Sequence, residues 1–157
     1  MRMTVVFLAL AAAGLTAAGA QTPTVDHFTQ SQLTEKAQSL NAKAQGSEGA
    51  ASVKLNVYPN HYTMISLRHK NGGAEIHEAY ADFFFVVQGE ATLVTGGTML
   101  DGKTVSPGEI RGTAVQGGSR TTLSQGDMVH IPASVPHQLL VADGGTFMYF
   151  VIKVKEK

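Results

Sequence analysis

Two stretches of this sequence hold imidazole and carboxylate side chains at spacings that can bring them together. In the first, Gly72 to Glu90, Glu75 and His77 stand two residues apart and Asp82 follows. Alternate side chains of an extended strand share a face, so Glu75 and His77 can point together into one pocket. Asp82 opens the next strand, from which it can face back toward them. In the second stretch, a Gly126-Asp127 turn leads into Met128–Ile131, and a loop bracketed by Pro132 and Pro136 delivers His137 to the following strand. Groups of these types, gathered in a pocket, can ligate a divalent ion or bind a small polar molecule directly.

The elements that position them read as strands and turns. Val53, Leu55 and Val57 alternate with polar residues, and Tyr62 to Arg68 alternates again, the period of a half-buried strand. Asp82 to Val87 is a nearly continuous apolar run, expected of a strand covered on both faces. Shorter strands are expected around Ala91–Val94, Glu109–Gly112, Met128–Ile131, Gln138–Val141 and Thr146–Val154. Glycine pairs such as Gly72-Gly73, Gly96-Gly97, Gly117-Gly118 and Gly144-Gly145 mark the turns between them. This grammar indicates an all-β sandwich or barrel rather than βαβ units. Upstream, Leu33, Ala37, Leu40 and Ala44 recur at helical spacing and predict one helix from Gln30 to Gln45, packed on the outside of the barrel or on a partner subunit.

The two stretches resemble the paired motifs of the cupin superfamily, and the resemblance covers Val53 to Val154. Gly126, Pro132 and His137 stand at the family's spacing, with Ser134 in place of its usual glycine. The family's first motif generally reads His-x-His, a short gap, an acid, and a glycine some seven residues beyond. Asp82 and Gly89 keep that last spacing. A four-residue gap makes His77 the second histidine and puts Glu75 in place of the first. A three-residue gap would put Ile76 and Glu78 there and turn His77 away. The first register places a known ligand type at every position and is preferred.

The resemblance implies an all-β, double-stranded β-helix, a cupin-like jelly-roll barrel with a short N-terminal helix. It also implies a metal ion in the barrel mouth, held by Glu75, His77, Asp82 and His137. Asp82 is one methylene shorter than the family's usual glutamate, which shortens its reach. Two imidazoles with carboxylate oxygens suit one divalent ion of iron, manganese, nickel or zinc and leave positions open. The absence of sulfur ligands argues against a closed structural zinc site. Two functional classes follow. One is a metal-dependent enzyme of the oxygenase or isomerase kind, in which the ion polarises substrate or activates oxygen. The other is a non-catalytic protein whose barrel captures a small molecule over a degenerate or empty metal site. Either way the partner is a small molecule, and a homodimer paired through an outer sheet face is expected.

The other candidates carry less. His27, His61 and His69 read as solvated or loop residues, and His130 can face either side of its strand. Arg68 is the obvious partner for an anionic substrate if its face is inward. Phe83-Phe84-Phe85 is core material, with Phe84 alone sharing the parity of Asp82 and so a pocket wall. Ser134 is explained by its turn, and no nucleophile stands beside a base at a diagnostic spacing. Formal charge is zero, and the only basic cluster is the tail Lys153-Val154-Lys155-Glu156-Lys157. Nucleic acid is therefore not an expected partner. Alternation with valine makes that tail an expected edge strand blunted by lysines.

The chain has no cysteine, so packing alone holds it and no thiolate is available. Met1-Arg2-Met3, the apolar run from Val5 to Ala13 and the small-x-small Ala18-Gly19-Ala20 describe a secretory signal over 1–20. A periplasmic or secreted protein with no stable membrane insertion is expected, with a polar helical segment over 21–50 and the barrel domain over 51–157.

Overall fold

The structure, a computed structural model, describes residues 25–156. The signal expected over 1–20 lies outside them. Two helices come first, α1 (Gln30–Gln38) and α2 (Asn41–Ala44), and twelve strands follow. These are β1 (Ala50–Val57), β2 (His61–Arg68), β3 (Ala74–His77), β4 (Tyr80–Thr95), β5 (Thr98–Leu100) and β6 (Lys103–Ser106). After them come β7 (Glu109–Gly112), β8 (Ala114–Gln116), β9 (Ser119–Ser124), β10 (Met128–Ile131), β11 (His137–Leu140) and β12 (Phe147–Lys155).

The single helix expected over Gln30 to Gln45 is two. A capping box opens α1, with Thr29 accepting from the Gln32 backbone and Gln32 reaching back to Thr29. At its end the Ser39 hydroxyl donates to the Lys36 carbonyl at 2.7 Å, and the Leu40 N–H turns to the Ala37 carbonyl. A serine that bonds local backbone competes with the helical ladder, and the chain kinks there. Ala37 and Ala44 still bury the same side, against Ala51, Ile65, Leu67, Val87 and Met148 on the outside of the sheet.

All strand pairing is antiparallel. One layer runs β1-β2-β12-β4-β10; the other contains β6, β7, β3, β11, the second half of β4, and β9. The sixteen-residue β4 belongs to both. Asp82 to Phe85 pair with β10 and with β12, while Thr92 to Thr95 pair with β11 and β9. The strand changes layer at Gly89, whose φ is +84°. The runs expected at Asp82–Val87 and Ala91–Val94 are thus one bent strand. Between the layers lies a core of Phe84, Val86, Leu93, Leu123, Leu139, Phe147, Tyr149 and Val151 among others. The outer face of β4 is covered only near the helices: Val87 is buried but Phe85 is 39% exposed, so the strand is not covered throughout on both faces.

The expectation for the tail is overturned. Strand β12 is not an edge but lies between β2 and β4, paired with both along its length. Lys153 faces inward and is buried.

Replacing Gly89 with alanine tests the crossing. A Cβ there would collide with the Thr146 carbonyl oxygen, in a left-handed conformation that side chains avoid. Gly89→Ala is expected to lower unfolding free energy by about 3 kcal/mol or more. Gly126, at φ +92° with open space around it, supplies the comparison. Gly126→Ala should cost about 1 kcal/mol, the backbone term alone. Equal losses in urea titrations of the two variants would contradict the assigned role of Gly89.

Candidate metal centre

The inward rows of five strands, joined by Ser52 of β1, line one cavity of about 250 Å³. β2 contributes Tyr62, Met64, Ser66 and Arg68, and β12 contributes Tyr149, Val151 and Lys153. Asp82 and Phe84 come from β4, Glu75 and His77 from β3, and Glu109 and Arg111 from β7. Phe84 is the pocket wall its parity predicts.

His77, which lines this cavity, and His137, which lines a small void adjoining it, have ring centroids 5.2 Å apart. The register that joins them pairs His137 with Glu75 across β11 and β3. Ser134, in a left-handed turn at φ +69°, donates its N–H to the His77 carbonyl at 2.8 Å, tying the proline-bracketed loop to β3. The Pro136 carbonyl accepts from Gly96 at 2.9 Å and fixes the start of β11.

Both rings are oriented from behind. Nδ1 of His77 donates to Glu109 at 2.8 Å, and Nδ1 of His137 donates to the Val135 carbonyl at 3.0 Å. A metal-ligating imidazole is neutral and has one N–H, so with Nδ1 donating, each Nε2 is the atom that would offer its lone pair to an ion. Both Nε2 atoms are buried and have no hydrogen-bond partner. Oε2 of Glu75 lies 3.3 Å from Nε2 of His77 and 4.0 Å from Nε2 of His137. One donor atom from each of the three residues lies within 4.8 Å of the others. Bonds of about 2.1 Å at tetrahedral or octahedral angles put donor atoms roughly 3.0–3.4 Å apart. The Glu75–His77 separation of 3.3 Å falls in that span and the Glu75–His137 separation of 4.0 Å is wider, so the three residues would hold a divalent ion once His137 and Glu75 draw together.

Electrostatics keep these groups ready. Burial raises the Glu75 carboxyl, but contact with the His77 ring and the charge of Arg111 outweigh it and hold the pKa at about 2. Burial lowers His137 from its ordinary value, with the Val135 hydrogen bond and the carboxylates opposing. Burial, then the charges of Glu109 and Asp82, push the Tyr62 phenol up to about 12.

Asp82 comes to the same place but is shared. Its Oδ2 lies 3.5 Å from Nε2 of His77 and 3.7 Å from Nε2 of His137. The Lys153 ammonium donates to that oxygen at 2.8 Å and lies 2.7 Å from Oδ1, a contact that is an ion pair rather than an aligned hydrogen bond. Asp82 therefore reaches the centre already carrying a counter-charge.

Among solved structures, the cupin domain of Schizosaccharomyces pombe Cnp3 matches with a TM-score of 0.52 at 5% identity, covering 70% of this chain and 67% of that one. The chain carries a cupin fold. Two further matches are DMSP lyase DddQ from Ruegeria pomeroyi DSS-3 (TM-score 0.50, 16% identity, 68% of this chain and 47% of that one) and a recombinant oxalate oxidase in complex with glycolate (TM-score 0.52, 15% identity, 73% and 55%). The chain spans just under half the length of the DMSP lyase chains it matches, 47% and 48%. At these identities the likeness is one of fold. No protein-family model and no curated protein sequence matches the chain.

Within this cupin barrel, three residues of the site carry no local signal in the sequence. Glu109 and Arg111 are invisible because their roles depend on the β3–β7 register that sets them opposite His77 and Glu75. Lys153 carries the pattern of an edge strand. Arg68 proves to face inward, and His130 faces outward, stacked on Phe83 at 4.3 Å. His27 is exposed, His61 stacks on Tyr58, and His69 bridges Asn41 and Thr146. Glu78 is exposed, as a solvated turn residue is.

Two outcomes follow from the charges. Lys153→Met strands the Asp82 carboxylate and should destabilise the fold by about 3–5 kcal/mol. Adding Asp82→Asn should recover much of that loss; additive losses in a double-mutant cycle would show the pair to be uncoupled. The second concerns acid. In metal-free protein His137 has a depressed pKa, so the unfolded chain takes up the proton first, and stability declines as pH falls below about 6.5. Glu75 adds a loss that begins near its ordinary 4.5 and is complete below about 2. Thermal unfolding in EDTA should shift downward from about pH 7 to about pH 4, and a flat profile would contradict a buried neutral His137.

Proposed function

We propose that this cupin is a metal-dependent enzyme acting on a small molecule, with one divalent ion held by Glu75, His77 and His137. The observation that supports this most is the pair of buried, unpartnered Nε2 atoms facing a carboxylate, each ring held at Nδ1 by an acceptor. Two histidines and one carboxylate with open positions is the donor set of non-haem iron(II) sites, and manganese, nickel and zinc suit the same atoms. An ion bound there supplies Lewis acidity toward a substrate oxygen or activates bound water or oxygen.

The chain's own residues do the rest. Glu109 and the Val135 carbonyl fix both imidazole tautomers, as outer hydrogen bonds on metal-binding histidines do. Phe84, Val151 and Tyr149 wall the cavity. Asp82, neutralised by Lys153, is a weaker fourth donor. The cavity, about 250 Å³, lies just below the roughly 300–1,000 Å³ of drug-sized pockets and fits a small substrate.

The Lys153–Asp82 pair favours a second reading, a non-catalytic barrel that binds its ligand directly over an empty site. Oxygenase and isomerase chemistry belong to the first reading. The N-terminal charged start, apolar run and small-residue end support export to the periplasm or medium. No helix among the described residues is long and apolar enough to cross a membrane. Exposed Phe85 and Met128 on the layer containing β4 and β10 support pairing of two copies.

Elemental analysis separates the two readings. Protein purified without a metal-affinity tag is expected to hold about one iron, manganese, nickel or zinc ion per chain, lost in both His77→Ala and His137→Ala. Wild-type protein that stays empty after incubation with each of these ions would overturn the metal centre and leave the binding reading.

A further inference from the structure

Three cations line the cavity, and two of them are neutralised within the protein. Lys153 is paired with Asp82. Arg111 is paired with Glu109 at 2.9 Å and lies 3.9 Å from Glu75. Arg68 is different: it makes no ion pair with any of the described residues. Its Nε is buried and, among the described residues, has no hydrogen-bond partner.

The guanidinium is nevertheless held in place. It lies against the Gly72 backbone, where an added Cβ would stand 2.7 Å from Nη1 and 3.0 Å from Cζ. The buried phenol of Tyr149 has Arg68 and Ser66 as polar neighbours. Arg68 lines the main cavity together with Glu75 and His77, and a small adjoining void together with Glu75 and His137. A buried guanidinium donor without an acceptor costs free energy unless a bound group satisfies it. The planar fork of arginine matches a carboxylate through two parallel hydrogen bonds.

We propose that Arg68 anchors the carboxylate of a small monoanionic substrate, holding its other end toward the histidine–glutamate centre. Lys153 and Arg111 are closed on Asp82 and Glu109, so among the described residues Arg68 is the cavity cation without an ion-pair partner, and one guanidinium fork takes one carboxylate. Glu75 and Glu109 both line the cavity and repel a dianion such as phosphate. The assignment rests on the metal-centre reading for where the reacting end lies, whereas the anchoring of the anionic end does not need the ion.

The test is calorimetric titration of the purified protein, metal-free and after loading with manganese(II). The probes are acetate, L-lactate and 3-hydroxybutyrate, with neutral lactamide and inorganic phosphate as contrasts. Saturable binding of at least one of the acids is expected, weakened tenfold or more in Arg68→Met and partly restored in Arg68→Lys, with lactamide binding far more weakly. Metal content, read separately on the same samples, should be unchanged by either variant. No saturable acid binding by wild-type protein overturns the anchor, as does affinity within twofold of wild type in Arg68→Met. Equal binding of lactamide, or phosphate binding more tightly than every acid, overturns the carboxylate assignment. If Arg68→Met fails to fold, as judged by its melting transition, weakening in Arg68→Lys relative to wild type decides the matter. Should the wild type hold no metal, the metal centre fails on its own, and the metal-free titrations still decide the anchor.

Discussion

The site exists because one strand serves two sheets. Strand β4 gives its first half to the layer of β12 and β10 and its second half to the layer of β11 and β9. Everything that meets in the cavity is registered, directly or through one or two neighbours, against that strand. Lys153 stands opposite Asp82 because β12 pairs with the first half. His137 begins β11, which pairs with the second half, and β11 in turn sets Glu75 beside His137. Backbone register is all-or-none, since a one-residue slip turns every side chain to the other face. The bend at Gly89 therefore positions side chains that are distant from it, and its requirement for a left-handed conformation is a constraint on the site as much as on the fold.

Charge is then distributed so that only part of it is internally satisfied. The Lys153–Asp82 pair and the Arg111–Glu109 pair are closed, each within hydrogen-bonding distance. Nε2 of His77, Nε2 of His137 and Nε of Arg68 are open. Buried polar groups in folded proteins are nearly always partnered, so unpartnered ones grouped around a cavity mark where a ligand completes the structure. The open groups are of different character: two imidazoles and a carboxylate on one side, a cationic fork on the other. That polarity gives a bound molecule a direction.

Much of this was legible in the sequence. The periods of Val53–Val57 and Tyr62–Arg68 gave true strands, and the spacing from Glu75 to His77 correctly implied a shared face. Ser134 stood where a glycine was expected, and the backbone there is indeed left-handed, so that position demanded a conformation rather than a residue. What was not legible lacks a local signal. Strand β6 has no buried residue and β9 buries only Leu123, so neither shows alternation of apolar side chains. The break at Ser39 depends on one hydroxyl choosing the Lys36 carbonyl, which helical periodicity does not encode. Glu109 became part of the site through strand pairing alone.

Lys153 marks the limit of local reading most clearly. A lysine alternating with valine near the end of a chain has the same pattern whether its alternate face is water or the interior of a barrel. Hydropathy favours water, because burying an ammonium costs several kcal/mol in the absence of a partner. Only the long-range pairing of β12 with β4 supplies that partner, since Asp82 lies seventy-one residues away in sequence. The same pairing removes Asp82 from free solvent and reduces its charge toward the two histidines. A carboxylate at a ligand's position in the sequence is thus a counter-ion as well in the folded protein, paired with a residue that neither motif contains.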